Sequence, residues 1–160
     1  MKLYTSVDIA PSEKKIGYDD KILLLGSCFA DNIGAKFGEH YFQATVNPFG
    51  TLYNPASIRR SIYLSLSRNN KRYMLQHNGL WHSMMHHGTF SHPDKDMLIA
   101  RCEESQTLLR TALQNASTII VTFGTSWVYK MDGMVVANCH KMPAERFNRY
   151  CMSASEIIES

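Results

Sequence analysis

Nothing in this chain of 160 residues is apolar for long enough to cross a bilayer. Runs such as Ile22 to Leu25 and Ile119 to Val121 fall far short of the roughly 20 residues a membrane helix needs. The opening M-K-L-Y-T-S-V-D also lacks the apolar core of a secretory signal, so the reading is a cytoplasmic protein with no membrane partner. Charge of one sign is scarce too: 17 Lys and Arg against 14 Asp and Glu give a net +3. The one dense basic stretch, Arg68 to Arg72, is too small to release the counterions that nucleic-acid binding exploits. It reads as a solvated loop, and nucleic acid drops out as a partner. Cysteine is sparse: Cys28, Cys102, Cys139 and Cys151 show no C-x-x-C spacing and predict reduced thiols rather than a disulfide scaffold. Charged residues at 19% are too few for a disordered or coiled-coil chain, and repeats are absent. What remains is one soluble domain with a sizeable core.

The pattern that is present alternates short apolar strands with amphipathic helices. Ile22 to Leu25 reads as a strand buried on both faces, the mark of a parallel sheet, and it runs into Gly26-Ser27-Cys28. From Phe29 to His40, Phe29, Ile33 and Phe37 form one helical stripe. A second strand over Gln43 to Val46 and a helix over Ala56 to Leu66 flank the turn-rich N-P-F-G-T-L-Y-N-P. Asn78-Gly79 predicts a hairpin within Tyr73 to Met84, because both residues tolerate positive φ. A long helix is expected over Asp94 to Gln114, burying Met97, Leu98, Cys102, Leu108, Leu109, Ala112 and Leu113. A third buried strand follows at Thr118 to Phe123, then a hairpin pairing Val128 to Lys130 with Met134 to Asn138. Ser153-x-x-Glu156 is a capping box that opens a helix just before Ser160. These elements predict an α/β/α sandwich with a mainly parallel sheet, incomplete at its C-terminal side, and with ligands at the C-terminal strand edges.

Chemistry is therefore sought where the first strand ends. A serine on a sharp strand-to-helix turn exposes its hydroxyl at the sheet edge, while the first helix amides can hold an oxyanion. Ser27 fits that role, and it equally fits a helix cap whose hydroxyl satisfies an orphan amide. Cys28, at the same helix start, reads as a small buried packing residue, leaving the open edge to Ser27. His140 follows the second hairpin and is a candidate base, or a structural imidazole paired with a carbonyl. His82, His86, His87 and His92 sit in hairpin and loop sequence unsuited to a zinc-binding helix, so they are read as a histidine-rich loop beside the site. Neither a metal nor a cofactor is assigned.

The stretch K-I-L-L-L-G-S-C-F-A-D-N-I-G resembles the opening of the GSCFA-domain family, named for residues like Gly26 to Ala30. N-P-F-G-T-L-Y-N-P, G-L-W-H-S, T-F-G-T-S-W-V-Y and A-N-C-H-K-M-P resemble that family's further blocks in the family's order, so the likeness covers about residues 20 to 160. It reads as the N-terminal part of that domain. The family is similar to the SGNH, or GDSL-like, hydrolases, and the resemblance implies their three-layer fold and a serine nucleophile acting on esters. It places Ser27 at the nucleophile position, with the Cys28 amide beside it, and Gly50 where an oxyanion-hole amide is supplied. Where those hydrolases carry Gly-x-Asn-Asp, this chain has Gly124-Thr125-Ser126-Trp127, so Thr125 or Ser126 would have to replace the asparagine. No Asp here has His three residues later, so the family's Asp-x-x-His base is expected in a later segment. Two functions stay open: a hydrolase of small-molecule or glycan acyl esters, and a non-catalytic carbohydrate or acyl-ligand binding domain.

Overall fold

The structure, a computed structural model, describes residue 5, residues 7–67 and residues 73–160; the basic stretch Arg68 to Arg72 lies outside the described residues. In chain order the elements are β1 (Lys21–Gly26), α1 (Cys28–Glu39), β2 (Gln43–Val46), α2 (Pro55–Leu66), β3 (Met74–His77), β4 (Leu80–Ser83) and β5 (Ser91–His92). They continue with α3 (Lys95–Asn115), β6 (Thr118–Thr122), β7 (Trp127–Met131), β8 (Met134–Val136), a 3-10 turn, β9 (Asn148–Cys151) and α4 (Ala154–Ile158). The strands form three sheets of three: a parallel sheet in the order β2-β1-β6, and two antiparallel sheets, β3-β4-β5 and β8-β7-β9.

The all-apolar run in β1 explains the layering. Successive strand side chains point to opposite faces, so a strand apolar at every position needs cover on both. Ile22 and Leu24 pack with Ala30, Ile33 and Phe37 of α1, whereas Leu23 and Leu25 join a larger cluster with Ile58 and Leu64 of α2 and Leu109 of α3. Helix α1 lies close to β2: a Cβ on Gly34 would collide with the Val46 side chain. Gly34→Ala is therefore expected to lower stability by about 1–3 kcal/mol despite its better helix propensity. Chemical denaturation checks this, and the cost should shrink in a Val46→Ala background.

Local signals set several boundaries as expected. Asn54 caps α2, its Oδ1 accepting the Ser57 amide at 2.8 Å, with Pro55 at the first helical position. Asn78-Gly79 and Asp132-Gly133 all have positive φ and close the two hairpins. Ser153 and Glu156 form the capping box of α4. Other expectations are corrected. Strand β6 is an edge strand, not a buried one: Ile119 and Val121 stand on the face of Leu23 and Leu25 yet are 48% and 43% exposed, because no helix covers that side of β6 among the described residues. Phe29 faces solvent instead of completing the stripe of Ile33 and Phe37. On α3, Met97 and Leu108 are exposed, and Ser105 and Gln106 join Leu98, Cys102 and Leu109 on the buried side. That helix packs on α2, whose Ser57, Ser61 and Ser65 are all buried, so small polar residues replace part of the apolar stripe.

Candidate functional site at the β1–α1 turn

Every polar backbone group of Gly26 is fixed. Its N–H donates to Asn47 Oδ1 at 2.7 Å and its carbonyl accepts the Leu52 amide at 2.9 Å. Its φ of 129° belongs to glycine, and a Cβ there would fall on the Thr122 carbonyl oxygen. The next amide, Ser27 N–H, is shared between the Thr122 carbonyl at 3.1 Å and Thr122 Oγ1 at 3.0 Å. The Ser27 hydroxyl lies 3.0 Å from Thr122 Oγ1 and makes no capping bond to α1. The capping alternative is thus removed, and the first two α1 amides, Cys28 and Phe29, keep their orphan N–H groups. Asp31, in the first turn of α1, accepts from Asn47 Nδ2 at 2.6 Å and Thr51 Oγ1 at 2.7 Å, clamping the 47–51 loop to the helix start. Sequence reasoning missed Thr122, Asn47 and this role of Asp31. An Asp early in a helix beside an Asn-Pro turn was the available signal, but only the fold joins residues up to 95 positions apart.

Burial at the turn is the reverse of the sequence expectation. Cys28 is exposed, while Ser27 is 7% exposed. The cause is the 122–125 segment folded over Ser27: the Gly124 and Thr125 amides donate to the Tyr53 carbonyl at 2.8 and 3.1 Å. A Cβ on Gly124 would lie 2.9 Å from Tyr53 Cδ1 and 3.3 Å from Ser27 Cβ, so the tyrosine ring and Ser27 meet at that glycine. Tyr53 also lines, with Thr125, Trp127, Tyr129, Val136 and Asn138, a cleft of about 210 Å³, and the Arg149 guanidinium stacks 3.9 Å from the Trp127 ring.

The other residues singled out from the sequence are mostly engaged elsewhere. The Gly50 amide closes a turn onto the Asn47 carbonyl at 2.7 Å, and the Thr125 hydroxyl accepts the Trp127 amide at 3.1 Å. Ser126 Oγ lies 3.1 Å from Cys151 Sγ. His140 is buried; its Nε2–H donates to the Ser83 carbonyl at 2.9 Å, and Nδ1 faces Ser91 Oγ at 3.4 Å. Desolvation pulls its pKa down to about 4, opposed by the Ser83 hydrogen bond and aided by the nearby His82 and His87. No hydrogen bond joins it to Ser27 among the described residues.

Most of the histidine-rich loop is structural. His82 hydrogen-bonds Ser91 Oγ at 2.7 Å and the His77 carbonyl at 3.2 Å. His86 is stacked between Phe49 and Phe90, with ring centroids 4.1 and 4.4 Å away, and its nitrogens meet Ser83 Oγ and Ser105 Oγ at 2.6 and 3.0 Å. Burial, with Arg101 and His140 nearby, lowers its pKa to about 3. His87 packs its Cβ against Gly50, so this loop supports the 47–51 turn from below. The described residues contain no cluster of three or more His, Cys, Asp or Glu able to hold a metal. No helix among them is long and apolar enough to cross a membrane.

The family model described as GSCFA family matches residues 21–160 of this mixed α/β chain. The chain belongs to the GSCFA family. No curated protein and no solved structure matches it.

Proposed function

We propose that the chain carries the nucleophile of an SGNH-like serine ester hydrolase, on a three-layer α/β/α arrangement and without a cofactor. The observation that carries the reading is Ser27 at the β1–α1 turn, free of capping duty, beside two unpaired helix amides. Ser27 Oγ attacks the ester carbonyl carbon as its proton passes to a base. The oxyanion that forms is held by the Cys28 and Phe29 amides at the positive end of α1. The alcohol leaves, and water then cleaves the acyl-serine. Thr122 Oγ1 orients the Ser27 hydroxyl but is no proton acceptor at neutral pH, so the base is a group not in contact with Ser27 among the described residues. The aromatic cleft beyond Tyr53 suits the acyl or sugar portion of the substrate.

A second reading, a binding domain without turnover, draws on the engaged Gly50 and Thr125 amides and on the cover over Ser27. Ser27→Ala separates the two, since it removes one hydroxyl at a stability cost of only about 1 kcal/mol. With the natural full-length chain and an acyl ester, the hydrolase reading expects turnover to fall by at least about a thousandfold in the folded variant. Unchanged turnover overturns Ser27 as the nucleophile, whereas no turnover by either protein while an acylated sugar binds both favours the binding domain.

A further inference from the structure

Away from Ser27, helix α2 presents two consecutive arginines, Arg59 and Arg60, to a groove shared with the β7–β8 hairpin. Arg59 is exposed and Arg60 half-buried. The Arg60 guanidinium has sulfur for company: Nε lies 3.0 Å from Met85 Sδ and Nη2 lies 3.5 Å from Met134 Sδ. A thioether is a weak acceptor, whereas a guanidinium is always charged and offers five N–H donors in a planar fork. Among the described residues no carboxylate pairs with it. Two adjoining clefts, of about 260 and 560 Å³, share Ala56, Arg59, Arg60 and Val135 as their common wall. Lys130 adds a third cation on the far side, its Nζ 4.5 Å from the centre of the Tyr150 ring. Of the two glutamates at the rim, Glu156 is exposed, accepts the Ser153 amide at 2.7 Å and has Lys130 near its carboxylate, and Glu159 lies near the end of α4.

A half-buried fork held by sulfur gives up hydration without regaining oxygen partners, a cost that an incoming oxyanion would offset. With Lys130 offset by Glu156, the two adjacent arginines of α2 set the sign of the ligand. We propose that this groove seats the oxyanion group of a small molecule, carboxylate or phosphate, gripped by the Arg60 fork and supported by Arg59. It is independent of the Ser27 reading.

The test titrates the natural full-length chain with inorganic phosphate and, separately, with citrate, following amide shifts of α2 and the β7–β8 hairpin by NMR. Saturable shifts with either anion support the seat, and the one that binds tighter identifies the oxyanion. Arg60→Met, which fits its methionine surroundings and so preserves the fold, should weaken that binding roughly tenfold to a hundredfold. Arg60→Lys keeps the charge but not the fork, and should fall between the two. The seat is overturned if neither anion binds saturably, or if folded Arg60→Met binds as tightly as the parent chain.

Discussion

Acidification from pH 6.5 to 4 is expected to cost this protein more stability than any single surface change. His86 and His140 are buried and held neutral, with pKa values lowered to about 3 and about 4, whereas in the unfolded chain each takes up a proton near the ordinary value of 6.5. The stability they supply is fully present above pH 6.5 and is lost as the pH falls through that value toward the folded-state pKa values. Each group that is protonated only when unfolded steepens the loss by about 1.4 kcal/mol per pH unit, so the pair approaches about 3 kcal/mol per unit below pH 5.5. Set against an ordinary stability of about 5–15 kcal/mol, the roughly 4 kcal/mol lost by pH 5 removes a large share of it before the carboxylates titrate. Urea denaturation at stepped pH measures it directly. His86→Gln should roughly halve the slope whatever it does to stability at pH 7; a flat profile between pH 6.5 and 4.5 would contradict the assignment.

Gly26→Ala is expected to be the most damaging small substitution at the site. The new methyl would occupy the position of the Thr122 carbonyl oxygen, and φ at 129° is a region that L side chains rarely adopt. Steric overlap with backbone and the dihedral cost together amount to about 3–5 kcal/mol. Because the Ser27 amide and hydroxyl both rest on Thr122, relief of the clash must move Ser27 away from β6. Denaturation should therefore show the loss of stability, and hydrogen exchange should show the Ser27 amide unprotected. Gly38→Ala is the comparison: with open space around its Cβ it should be neutral or slightly stabilising.

What the sequence could reveal was what local chemistry decides. Four apolar residues in a row at Ile22 to Leu25 need two covered faces, Asn78-Gly79 and Asp132-Gly133 need left-handed turns, and Ser153 with Glu156 needs a helix start. The position of the elbow followed from these. Strand β9 was missed because N-R-Y-C carries no apolar alternation; its place is set by pairing with β7, seen at Val128 against Tyr150. The edge status of β6 was equally illegible, since an apolar strand looks the same whether or not a helix covers it. At the site, residue types pointed to Ser27, but its cover by Tyr53 and Gly124, and the capture of His140 by Ser83, depend on contacts between distant segments.

In the proposed reaction the Ser27 hydroxyl is the group that attacks. Incubating the natural full-length chain, folded at neutral pH, with a fluorophosphonate and mapping the adduct by peptide mass spectrometry tests it most directly. A single adduct on Ser27 is expected, lost on prior unfolding and missing from Ser27→Ala. An adduct on another residue such as Cys28, or a folded chain that takes up no probe, would contradict it.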